Sequence, residues 1–353
     1  MKENMNDLEY SREIEIIESK ISLQHSDSRF FPTEIKNYII REAKTVTHYH
    51  LHHENVDVLF HIYNFKKGEH LGKDMIEYMC NVFIFLKMFT TRECSTKINV
   101  YLYPTRIRKT LPSGNEVLDT EHINNAFSYC CSKGTSELVI FREEDWKKVY
   151  IHEMFHNLGI DFCNFQFDRV QESIQKEFPI ENEILLFEAY SEFWATYLYT
   201  CFHSYSHNKS FKMYSVDVKS KFSHEITFSF TQMIKILRTM NLSYEDLYNH
   251  EYMNTKNVHF VYKENTNVFA YNVLKCIMMF FHYDFLEWCN TNNTTLLQSS
   301  RYKKYQLSLL EWLKRHNKDK KLMKFIENIT NNVYLRINDK KFKKSLMNCF
   351  YQH

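Results

Sequence analysis

Glycine and proline are nearly missing from this chain, with five and four among 353 residues. So few breakers argue against long linkers and against a β-rich network of tight turns, and leave helix as the favoured element. An excess of charge of one sign is missing too. Lys and Arg number 45 against 43 Asp and Glu, a formal net charge of +2, so no global field demands a nucleic-acid partner. The most apolar stretch, VLKCIMMFFHYDFLEW (273–288), carries Lys275, His282, Asp284 and Glu287 and is too short to span a bilayer, so it reads as a core helix. The N-terminal MKENMNDLEYSREIEIIESK lacks the apolar centre of a signal peptide. Nine cysteines are scattered with no C-x-x-C spacing, which points to a reduced, cytoplasmic setting. Cys130, Cys131 and Cys163 then read as buried small hydrophobes.

What is present is enough apolar and aromatic residue for one large or two medium domains. Residues 1–25 place Ile14, Ile17 and Ile21 at helical spacing and predict a short amphipathic helix. TVTHYHLHHENVDVLFHIYN (45–64) predicts two strands, 71–90 a helix, and KINVYLYPT (97–105) a strand closed by Pro104. The loop 110–122 is the expected boundary before a core. INNAFSYC (123–130) and SELVIFR (136–142) read as a hairpin. EEDWKKVYIHEMFHNLG follows as a helix with acids in its first turn and a glycine at its end. A long helix is expected from about Glu181 to Ser204, and further helices after 225, with apolar repeats at 230–240, 267–287, 304–314 and 322–334. Three regions are drawn from this: 1–115, 116–205 and 206–353.

The chemistry concentrates in IHEMFHNLGIDF (151–162). Residues four apart on a helix share a face, so His152 and His156 can offer two imidazole nitrogens to one ion at about 2.0–2.1 Å, the usual Zn–N distance. Glu153 stands beside the first histidine and can take a proton from a water acidified by the metal. The bland alternative is a helix with two satisfied histidines. A catalytic zinc needs a third protein ligand and one open position. LLFEAYSEFWATYL (185–198) sets Glu188 and Glu192 one turn apart on an otherwise apolar, aromatic helix. Carboxylates on such a face are costly unless paired or bound to metal.

These residues resemble known zinc peptidases, over about residues 120–205. The metzincin pattern H-E-x-x-H-x-x-G-x-x-H matches Gly159 but fails at its last position, where Phe162 cannot coordinate and Asp161 is one residue off. The gluzincin pattern fits better, because Glu188-Ala-Tyr-Ser-Glu192 resembles the E-A-x-S-D segment of thermolysin-like peptidases. That resemblance implies Glu188 as third ligand, with Glu192 orienting a ligand histidine. Asn124-Asn125-Ala126-Phe127 is similar to the thermolysin edge strand that pairs with substrate backbone, which implies Asn125 and Ala126 as substrate-binding residues. The gap of 31 residues between His156 and Glu188 is longer than in thermolysin, and no tyrosine in it matches the oxyanion-stabilising phenol. His250, His259, Tyr262 and Tyr271 are the candidates for that role. Of these Tyr271 is preferred, because it opens a helix behind an Asn265/Thr266 cap. FREEDWKKVYIHEMFHNLGIDF with FEAYSEFWA also resembles uncharacterised metallopeptidase-like proteins of large nucleocytoplasmic DNA viruses. If the chain is viral, the host cytoplasm or the virion is the implied setting.

Two weaker signals remain. His48, His50 and His52 would share one face of a strand. No carboxylate or cysteine spacing supports a closed metal site there, so they read as a solvated face. RYKK, KRHNKDKK and KKFKK make the C-terminal third basic; it reads as a solvated helical face, and nucleic acid is left open but not expected. The expected whole is an α+β fold: a zincin-like small mixed sheet on an active-site helix, with a mainly helical C-terminal lobe. The expected activity is zinc-dependent hydrolysis of a peptide or protein. His152, His156 and Glu188 hold one zinc ion per chain, Glu153 is the general base, Glu192 stands behind the ligands and Tyr271 faces the oxyanion. The alternative is a non-catalytic zinc-binding virion or scaffold protein that retains the fold.

Overall fold

A computed structural model describes residues 10–16, 23, 27–66, 73–112, 116–165, 167–180, 182–207, 210–248, 262–335, 345–346 and 349–351. The elements run β1 (Tyr10–Ile16), α1 (Thr33–Glu42), β2 (Thr45–His53), β3 (Val56–Asn64), α2 (Lys73–Lys87), β4 (Lys97–Leu102), α3 (Thr120–Ile123), β5 (Ala126–Ser128), β6 (Thr135–Ile140) and α4 (Trp146–Asn157). They continue with α5 (Asp168–Glu177), α6 (Leu186–His207) and α7 (Phe211–Thr239). A π-helical turn (Ala270–Leu274) then leads into α8 (Lys275–Phe280), followed by α9 (His282–Asn292), α10 (Lys303–His316) and α11 (Lys320–Leu335). The chain forms two compact units, one of residues 1–108 with 124–164 and one of 109–123 with 165–353.

The first unit is a six-stranded mixed sheet in the order β1-β2-β3-β4-β6-β5. β3, β4 and β6 run parallel, and the other pairs are antiparallel. Alternation along β3 buries every second residue, Val58, Phe60 and Ile62 among them. With Ile98, Val100, Leu102, Leu138 and Ile140 these make one apolar face. α4 packs against β5, β6 and α2, and α2 also reaches β2. The opposite face carries Tyr101, Tyr103, Phe127, Val139 and Phe141, covered by Phe31, Ile35 and Ile39 on and just before α1. Each such buried side chain contributes about 1.5–3 kcal/mol relative to exposure. Truncating the wholly buried Phe60 to Ala is therefore expected to cost about 3–5 kcal/mol.

The helix expected over 1–25 is corrected. Tyr10–Ile16 is strand β1, whose main chain is satisfied by antiparallel pairing with β2, Tyr10 opposite Leu51 and Ile16 opposite Thr45. Helical spacing of three isoleucines was the weaker signal, because an open sheet edge satisfies the backbone of any residue that lies along it. Ile17 and Ile21 lie outside the described residues. Two smaller differences concern helix starts. α4 begins at Trp146, so the acids of EED precede its first turn, and Asp145 takes a left-handed conformation (φ 62°). The long helix begins at Leu186 rather than near 181, and Glu181 lies outside the described residues.

The second unit is mostly helical. α6 packs on α7, and α7 on α11. The π turn and α8 pack on both α6 and α7. The 109–123 segment joins this unit through isolated bridges, Thr110 with Ser345 and Leu118 with Glu264. Among the described residues no helix is long and apolar enough to cross a membrane.

The cysteines depart from the reading given above. Cys94 pairs with Cys131 and Cys130 with Cys163 in disulfides, with sequence separations of 37 and 33. Cys130, Cys131 and Cys163 are therefore not free small hydrophobes. The fold brings them together across loops, which no local spacing could reveal. The argument from scattered thiols to a reduced compartment loses its support, since disulfides are rare where thiols are kept reduced.

Candidate metal centre

α4 is buried on nearly every side, from Trp146 and Lys148 through Asn157. Its end is shaped by Gly159, which adopts φ +62°. The Ile160 amide donates to the Phe155 carbonyl (2.8 Å) and the Gly159 amide to the His156 carbonyl (3.0 Å). This double closure with a left-handed glycine is the Schellman arrangement. A side chain at 159 would also meet Cys131 Cβ at 2.9 Å and Cys94 Sγ at 3.0 Å. Glycine is needed here twice over, for its conformation and for room beside the Cys94–Cys131 disulfide.

The closed turn brings Asp161 back against the helix. Its side chain is fully buried, with Oδ2 against His156 Nδ1 and Oδ1 accepting from the Cys163 amide at 3.1 Å. Arg92 donates to the Asp161 main-chain carbonyl. A carboxylate on Nδ1 places the histidine's proton on that nitrogen and leaves Nε2 a lone-pair donor. His156 Nε2 is 3.0 Å from His152 Nε2, and the residues are 6% and 5% exposed. Glu153 is buried beside them, and its carbonyl accepts from the Ser128 hydroxyl of β5 at 3.1 Å. The Cys131 amide, just past β5, donates to the His156 carbonyl at 2.9 Å. β5 is a terminal strand of the sheet and includes Ala126. Asn125 uses its side-chain amide on the Glu144 carbonyl (2.8 Å) and its own carbonyl on the Phe141 amide (2.9 Å).

In the helical unit Glu188 lies in the first turn of α6 and is buried. Asn267 Nδ2 donates to Glu188 Oε1 at 3.0 Å and lies 3.5 Å from the Tyr271 hydroxyl. Tyr271 sits in the π turn, partly buried against Leu111, Leu118 and Val268. Single π turns inside helices are frequent at functional sites. Glu192, one turn beyond Glu188, has Lys275 Nζ 3.5 Å from its Oε1, both side chains under 5% exposed. The expected Asn265/Thr266 cap is corrected: Glu264 Oε2 accepts from the Phe269 amide at 2.7 Å, while the Asn265 side chain donates to Asp119 Oδ2 at 2.8 Å. Burial pushes the Glu264 carboxyl up to about 8, against the opposing pull of the Tyr262 hydroxyl and the Phe269 and Val268 amides. The Tyr262 hydroxyl donates to Glu264 at 2.6 Å, so this candidate's phenol is committed elsewhere. His250 and His259 lie outside the described residues.

His152, His156 and Glu188, all buried, each offer one ligand atom, and these atoms lie within 4.8 Å of one another, a group that could hold a metal ion. His156, Asp161 and Cys163 form a second group by the same distance. It is not a second ligand set, because the Cys163 sulfur is bonded to Cys130 and Asp161 occupies the other ring nitrogen of His156. Sequence reasoning missed Asp161 as the partner of His156, having weighed it only as a ligand out of register. It also missed Asn267 and Lys275, which approach α6 from some 80 residues along the chain.

No family model, no curated protein and no solved structure matches this chain.

Proposed function

We propose that the protein is a zinc-dependent peptidase of the gluzincin type, with His152, His156 and Glu188 holding one zinc ion and Glu153 acting as general base. The observation that carries this reading is the buried group of two imidazoles and one carboxylate, with ligand atoms within 4.8 Å of one another. That donor set fits zinc and matches a catalytic site, in which three protein ligands leave a fourth position open. When bound, zinc would supply Lewis-acid chemistry and lower the pKa of a bound water to about 7.

The chain's own residues do the rest. Glu153 takes the proton of the attacking water and returns it to the leaving amine, so its protonation state is restored at the end of each turnover. Asp161 keeps His156 in the tautomer that can ligate. Asn267 holds one oxygen of Glu188, leaving the other for the ion. The Tyr271 hydroxyl, 3.5 Å from Asn267, is the proposed donor to the oxyanion. Glu192, one turn beyond Glu188, is the proposed residue that orients a ligand histidine, its charge balanced by Lys275. The terminal strand β5, with Ala126 and the preceding Asn125, offers a sheet edge to an extended peptide.

The deciding experiment is Glu153→Gln. The substitution keeps size and hydrogen bonding but removes the base. Zinc content and melting temperature should stay close to wild type while cleavage of an unbiased peptide library falls by about 10²–10⁴-fold. Near-wild-type cleavage by the variant would refute the mechanism. Wild-type protein with full zinc that cuts nothing in such a library would favour the non-catalytic scaffold instead.

A further inference from the structure

The face of the sheet that α1 covers does not end with its apolar cluster. Beyond Tyr63 and Tyr101 the same face of β2 and β3 carries His61, His48, His50, His52 and Asp57, by strict alternation with the buried residues. The antiparallel register sets His48 opposite His61 and His52 opposite Asp57. His61 stacks on Tyr101 (ring centroids 4.6 Å) and meets His48 with ring nitrogens 2.7 Å apart. At the open end, His50 Nε2 lies 2.8 Å and His52 Nδ1 2.9 Å from the same oxygen, Asp57 Oδ1. The carboxylate that local spacing could not supply comes from across the hairpin.

We propose that His50, His52 and Asp57 form a second, solvent-open site for a divalent transition-metal ion, distinct from the buried group on α4. Imidazole nitrogens with a carboxylate suit zinc, nickel or copper, not calcium or magnesium, which prefer all-oxygen shells. His50 ligates through Nε2 with its proton on Nδ1; His52 ligates through Nδ1 with its proton on Nε2. Both ring nitrogens converge on the carboxylate oxygen rather than on each other, so ligation asks for rotation of exposed side chains and no change of backbone. The scaffold is stiff, since β2 and β3 are paired along their whole length and β3 is held by β4 on its other edge. Folding stability does not account for the arrangement. The side chains are 44%, 65% and 46% exposed, and exposed pairs of this kind contribute little. Water completes the shell, so the site exchanges its ion with solvent.

The test does not depend on peptidase activity. Zinc-loaded wild-type protein is titrated with Cu²⁺ and followed by electron paramagnetic resonance, with zinc content measured alongside. The expected result is one bound copper per chain, splitting from two nitrogens, and unchanged zinc. His50→Ala with His52→Ala should abolish that signal while zinc content and melting temperature hold, because both rings are exposed. His48→Ala with His61→Ala should leave it in place. A copper signal that survives loss of His50 and His52, or that disappears with His48 and His61 instead, would overturn the assignment. So would copper binding only by displacement of zinc.

Discussion

The sheet unit holds two histidine clusters built from the same parts and set in opposite surroundings. On α4, His152 and His156 face each other at 3.0 Å with Asp161 behind, and all three are buried. On the β2–β3 hairpin, His50 and His52 share Asp57, and all three side chains are 44–65% exposed. In the first cluster burial limits competition from water for the lone pairs, and the rings are held by packing, His156 also by the Asp161 carboxylate on its far nitrogen. In the second, the side chains are open to water and the two rings share one contact, the Asp57 carboxylate. On the proposed readings, the first arrangement suits an ion held for chemistry and the second, one that comes and goes. Residue type announces a possible ligand, and burial decides what kind of site it makes.

The largest expected effect is at the buried cluster. His156→Ala removes one of the three proposed ligands, so zinc should be lost completely on gel filtration, as read by elemental analysis. Retention of a full equivalent would break the contrast, because it would place the tight site elsewhere. Asp161→Asn comes next. It keeps the shape but weakens the acceptor on His156 Nδ1, and zinc affinity measured by chelator competition should fall by about 10–100-fold. An unchanged affinity would mean that packing alone orients the ring. Gly159→Ala follows, through stability rather than affinity. A left-handed φ costs a non-glycine residue about 1–2 kcal/mol, and the Cβ contact with Cys131 adds to that. The melting temperature should drop accordingly, and an unaltered value would show that the turn relaxes.

Much of the sheet unit was legible in the sequence, and the reasons are physical. β3 and β4 announce themselves through alternation against one buried face, and α4 through the glycine that ends it, although the acids read into its first turn precede it. What was not legible depends on chain segments that meet only after folding. β1 owes its strand form to β2, about 35 residues on, and not to its own isoleucines. The disulfides join loops 33 and 37 residues apart. Asp161 reaches His156 because Gly159 reverses the chain, Asp57 reaches His50 and His52 across a register, and Asn267 reaches Glu188 from 79 residues away. In each case the local pattern was read for what one element could do alone.

The smallest expected effect sharpens the comparison from the exposed side. Hydrogen bonds from His52 first, and then His50, hold the Asp57 carboxyl below its ordinary value of 3.8. A carboxylate with a lowered folded pKa adds stability above its unfolded pKa, and that stability is lost as pH falls through the lowered folded value. Asp57→Asn removes this contribution. The melting temperature of the variant should therefore lie slightly below wild type at neutral pH, and the gap should close in strong acid, where wild-type Asp57 is itself protonated. Because the group is exposed, the gap should also shrink in about 1 M salt, where the screening length is about 3 Å. Asp161→Asn, buried and coupled to a ligand, should show no comparable sensitivity to salt. A large, salt-independent loss at Asp57 would mean that the hairpin carboxylate is a structural element of the fold, and the division between a locked and an exchanging cluster would have to be redrawn.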